Sequence, residues 1–82
     1  MSKLPKLSGE EIVKILVEKF GFEVVRQRGS HAVLRKFKDG EKIVTIVPMH
    51  REVKTGTLLG ILKLARITKE EFMKDLTWNC QG

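Results

Sequence analysis

Ile12, Val13, Leu16, Val17 and Phe20 recur at the three- and four-residue spacing of a single helical stripe. Ser8 stands three residues before Glu11, the pattern of a capping box that starts such a helix, and Gly21 stands where a C-terminal glycine ends one. The pattern then changes period. Phe22 to Arg28 is short and rich in β-branched and aromatic residues, which predicts a strand, and Gly29-Ser30 is a turn. His31 to Lys38 predicts a second strand, and Asp39-Gly40 is a strong hairpin signal. Lys42 to Val47 predicts a third strand, stopped by Pro48, which lacks the N–H needed to continue a ladder.

Pro48 to Lys54 reads as a polar loop, and Thr55-Gly56-Thr57 opens a second helix that carries Leu58, Leu59, Leu62 and Ala65 at helical spacing. Thr68 and Glu71 make a second capping box ahead of a short third helix with Phe72 and Leu76. The expected fold is therefore α+β with the order α-β-β-β-α. It has a three-stranded antiparallel meander, helices on one face and a short C-terminal helix, which is the layout of double-stranded-RNA-binding domains. One domain spans residues 1–82, with an ordered core over about 7–76 and a loose tail at 77–82. The second strand leaves one matter open. His31, Val33, Arg35 and Phe37 share one side and Ala32, Leu34, Lys36 and Lys38 the other, and neither side is cleanly apolar.

Composition narrows the class. With 41% hydrophobic and 32% charged residues the chain belongs among folded proteins rather than disordered ones. No run of about 18 apolar residues suggests a membrane span, and residues 1–7 lack the apolar stretch of a secretory signal. Cys80 is the only cysteine, so no internal disulfide forms and no zinc-finger spacing exists. A reducing, cytoplasmic location is the expectation. The net charge of +6 on so short a chain attracts polyanions, nucleic acid being the commonest, although solubility or an acidic protein partner would also account for it.

Four places carry candidate chemistry. His31 follows the Gly29-Ser30 turn at the start of a strand, held yet near the surface. Imidazole, with an ordinary pKa near ~6.5, gives or takes a proton at neutral pH, as cleavage of RNA through its 2′-OH requires. Arg26, Arg28 and Arg35 on the flanking strands are candidates to hold the phosphate. By spacing alone, a lone strand histidine is more often structural or merely exposed. His50, in Pro48-Met49-His50, comes back toward His31 if the second and third strands pair, as a second acid–base group or a phosphate contact; a loop histidine that only caps local backbone is the plainer reading. Lys54 with Thr55, Gly56 and Thr57 at a helix start suits an anion, or only starts the helix. The scattered acidic residues form no metal-ligand pattern, so neither metal nor other cofactor is expected.

Gly21-Phe22, Arg26-Gln27-Arg28-Gly29-Ser30-His31, Thr45-Ile46-Val47-Pro48-Met49-His50, Lys54-Thr55-Gly56-Thr57-Leu58-Leu59-Gly60 and Ile67-Thr68-Lys69-Glu70-Glu71-Phe72, in that order, resemble the HicA toxin family, also called YcfA-like, of HicA–HicB toxin–antitoxin modules. The likeness runs from about Leu7 to Leu76. It implies a metal-independent mRNA interferase with His31 as catalytic residue. His50 follows as the family's second histidine, and Ser30 joins the RNA-contacting set. It also implies a HicB-like antitoxin that covers the catalytic region. One departure is Arg66, where the family usually has glycine at a helix C-terminus, so a left-handed or differently ended helix is expected there. The competing reading is a non-catalytic RNA-binding module of the same layout. Against it, only Lys54 and Lys63 lie near the second helix, where double-stranded-RNA binders place a dense lysine cluster.

Overall fold

The computed structural model describes residues 6–74. Leu76, Cys80 and the tail expected at 77–82 lie outside them. The elements are α1 (Gly9–Phe20), β1 (Glu23–Arg28), β2 (His31–Lys38), β3 (Glu41–Pro48) and α2 (Thr55–Ala65), and residues 69–74 are again helical. The strands form one antiparallel sheet in the order β1-β2-β3. The expected α-β-β-β-α arrangement is thus observed.

Local chemistry explains the helix ends. Ser8 Oγ accepts from the Glu11 N–H at 3.1 Å, and the Glu11 carboxylate accepts from the Ser8 N–H at 2.9 Å. Thr68 and Glu71 repeat this at 3.0 and 2.9 Å. The backbone and side-chain hydrogen bonds from Thr68 hold the Glu71 carboxyl below its ordinary range. Gly21 ends α1 in the left-handed conformation at φ 77°. The third strand runs one residue further at each end than its sequence suggests. Pro48 closes it on an edge strand and Glu41 pairs with Lys38 beyond the Asp39-Gly40 turn.

The face left open by the sequence of β2 is settled by packing. Ala32 and Leu34 of β2 are buried together with Ile43, Thr45 and Val47 of β3. Against them lie Ile12, Ile15 and Leu16 of α1 and Leu58, Ile61, Leu62 and Ala65 of α2, closed at the margins by Phe22, Val53, Ile67 and Phe72. All the helices cover this face, so His31, Val33, Arg35 and Phe37 look out from the other. Among the described residues Thr45 is the one buried polar side chain, and its hydroxyl donates to the Ile61 carbonyl at 2.9 Å, fixing α2 over β3. Lys36 sits on the helix side near the margin, its ammonium 5.5 Å from the Phe22 ring centroid.

The loop expected to be simply polar is anchored. Val53 is buried and bridges to Leu7, its N–H donating to the Leu7 carbonyl at 2.7 Å. The Gly9 N–H donates to the His50 carbonyl at 2.9 Å. Gly9 itself lies so close that a Cβ would stand 2.2 Å from the Pro48 oxygen and 2.6 Å from Met49 Cα. The start of α1 therefore rests directly on the backbone that leads to His50.

Arg66 occupies the C-cap of α2 at φ 60°, ψ 41°, the left-handed one of the two endings expected there, and its guanidinium pairs with Glu41. That ion pair is exposed and contributes little. Arg66→Gly should therefore be more stable in urea than Arg66→Ala by about 1 kcal/mol, because both lose the pair but only alanine keeps the left-handed strain. Equal stability of the two would show that the cap is not strained. Gly9→Ala must drive α1 off fixed backbone atoms. It should lower stability by about 2 kcal/mol, read as a drop of roughly ten degrees in the thermal midpoint. An unchanged midpoint would mean the contact is not tight.

Candidate active site

The β1–β2 hairpin builds the site. Gly29 takes φ 55°, which lets Gly29-Ser30 close a two-residue turn with Arg28 and His31 as the pair that faces across it. On its other side His31 pairs with Pro48 of β3. Arg28, His31 and Pro48 thus form one row across the end of the sheet, with neighbouring Cβ atoms about 4.5–5.5 Å apart. Arg26 faces Val33 in the next row, on the same open side. His31, Arg26, Arg28 and Ser30 are all exposed.

The return of the chain toward His31 is also observed. The Met49 N–H donates to the Ser30 carbonyl at 2.5 Å, tying the loop after β3 to the turn before β2. The two histidines end in different surroundings, however. His31 looks out from the open sheet face. His50 lines a cleft of about 260 Å³ with Pro48, Glu52, Val53, Lys54 and Thr57, and His31 is not among those residues. The Gly9 and Met49 hydrogen bonds fix the backbone on both sides of His50, so its imidazole is carried on a braced segment.

Lys54 is the N-cap of α2 and makes no side-chain capping bond. The helix start lies beside the cleft, which Lys54 and Thr57 line, and its first N–H groups have no side-chain cap, a setting that favours an anion. Of the expected Lys54, Thr55, Gly56 and Thr57, the structure brings Lys54 and Thr57 into the lining of the cleft. Helical geometry decides which of the three small residues turns toward His50, and that depends on how α2 lies on the sheet.

Arg35 stands apart from the rest of the expected set. Four residues along β2 place it about 13 Å from His31. Its guanidinium is already engaged by Glu23, through Nε at 3.2 Å and Nη2 at 2.6 Å. The sequence shows both residues but not the register that makes Glu23 the cross-strand partner of Arg35. Phe37, exposed beyond Arg35, is the other feature of this face that has no separate signal in the sequence.

Among the described residues, no three His, Cys, Asp or Glu side chains gather to hold a metal ion, and no helix is long and apolar enough to cross a membrane. No match was found among curated proteins or among solved structures. A family model does match, that of the HicA toxin of bacterial toxin–antitoxin modules, over residues 9–67. The matched span runs from the first residue of α1 to just past the C-cap of α2 and takes in every side chain of the site. The chain therefore belongs to the HicA toxin family.

Proposed function

We propose that this toxin is an endoribonuclease that cleaves mRNA in the cytoplasm by proton transfer at His31, without a metal, and that its partner is a HicB-type antitoxin. The observation that carries the reading is the row Arg28–His31–Pro48. It sets an exposed imidazole beside a guanidinium, on rigid strands, at the closed end of a hairpin. In this mechanism His31 takes the proton of a ribose 2′-OH. The oxygen attacks the adjacent phosphorus, the bond to the 5′-oxygen breaks, and that oxygen leaves with a proton drawn from solvent. The products are a 2′,3′-cyclic phosphate and a 5′-hydroxyl end. Arg28 and Arg26 are close enough along the open face to meet the charge that grows on the phosphate.

His50 is assigned to phosphate binding rather than to proton transfer. It lies in the cleft with Lys54 and Thr57, beside the uncapped start of α2, where a neighbouring phosphate of the same strand would sit. Ser30 holds the loop through its carbonyl, and Thr55 and Gly56 contribute backbone N–H groups at the helix start.

Incubation of pure protein with single-stranded RNA in EDTA should give fragments ending in cyclic phosphate. His31→Ala should lower kcat about 10²–10⁴-fold, the usual weight of one acid–base group. A variant that cleaves as fast as the parent would sink the mechanism. His50→Ala should act mainly on KM, and a loss of kcat equal to that of His31→Ala would instead make it the second proton-transfer group.

A further inference from the structure

The open sheet face extends well beyond the row that holds His31. Phe37 lies six residues further along β2 on the same side, and at 62% it is the most exposed of the large apolar side chains described. The ring is not simply left in water. The Arg35 guanidinium carbon lies 5.2 Å from its centroid, and Glu23 fixes that guanidinium by two hydrogen bonds. Glu23, Arg35 and Phe37 therefore form a braced layer of carboxylate, guanidinium and aromatic ring, with much of the ring still bare. Between this layer and His31 lies one row, Arg26, Val33 and Ile46, while Val44 stands beside Arg35 in the layer's own row.

Charge says what would cover it. The outward positions of the three strands carry Arg26, Arg28, Arg35 and Lys42 besides His31. The only acid among them, Glu23, is taken by Arg35. A cationic surface with an aromatic ring and a guanidinium plane in reach suits a polyanion with flat bases to stack. Single-stranded RNA offers unstacked bases to aromatic and guanidinium planes, and a duplex does not.

We propose that Phe37 and Arg35 form a base-stacking platform that binds single-stranded RNA at a distance from the scissile phosphate, with Glu23 as the positioning residue that holds Arg35. This rests on the reading of His31 as the group that cleaves RNA, and adds a substrate subsite to it. Six residues of strand span about 20 Å. That corresponds to at most about six nucleotides at the stacked rise of about 3.4 Å, and fewer where the strand is stretched.

The test measures binding of a single-stranded RNA of about ten nucleotides to full-length His31→Ala protein, which keeps the probe intact. Stacking on one ring is lost with the π-face rather than with size. Phe37→Ala and Phe37→Leu should each weaken binding at least about fivefold and Phe37→Trp should preserve it. On a strand of equal length that lacks bases, Phe37→Ala should change nothing. Unchanged melting curves confirm that these exposed substitutions leave the fold intact. The platform is overturned if Phe37→Leu binds as tightly as phenylalanine, which is the behaviour of an apolar anchor for a protein partner. It is equally overturned if Phe37→Ala weakens both strands alike. If the His31→Ala protein fails to bind RNA at all, the nuclease reading falls and the platform with it. Normal binding by Phe37→Ala would remove the platform alone.

Discussion

A three-stranded sheet with helices enough for one side must choose which side to bury, and the rest of this structure follows from that choice. Ala32 and Leu34 on β2 and Ile43, Thr45 and Val47 on β3 go under the helices. Because side chains alternate along a strand, burying Leu34 commits His31, Arg35 and Phe37 to the opposite face. The same parity that makes the core makes the exposed cationic surface. A one-residue slip of β2 would exchange the two.

The second constraint is how the loop after β3 is held. The loop that carries His50 rests on a rigid seat, and α1 provides it. Gly9 lies against Pro48 and Met49 where no other side chain fits, and its N–H meets the His50 carbonyl. Leu7 and Val53 complete the clamp one step further along. The N-terminal helix thus contributes to the core through Ile12 and Leu16, and to the site through its first residue.

The proposed mechanism would divide the chemistry between two regions. Proton transfer would fall to the open face, where His31 stands in line with Arg28. A neighbouring phosphate would fall to the cleft beside α2, which His50 lines with Lys54 and Thr57. The Ser30–Met49 hydrogen bond joins the two regions at the end of the sheet. A flexible polyanion can pass round such an edge, whereas a rigid duplex would contact one side at a time.

Much of the fold was legible in the residues. The capping boxes at Ser8 and Thr68, the stop at Gly21 and the hairpin at Asp39-Gly40 are local interactions among residues a few positions apart, so their chemistry shows in the chain itself. The Gly29-Ser30-His31 turn, and through it the position of His31 at a strand start, is local in the same sense. Three things were decided only by tertiary packing. The buried side of β2 was ambiguous because both sides mix charged and apolar residues, and it was settled by which side chains α1 and α2 could bury. The engagement of Arg35 by Glu23 depends on strand register, and the cleft that His50 shares with Lys54 and Thr57 depends on where α2 lies. Local order is set by neighbours in the sequence; face, register and cleft are set by contacts between residues far apart along it, whose partners no single stretch of sequence names.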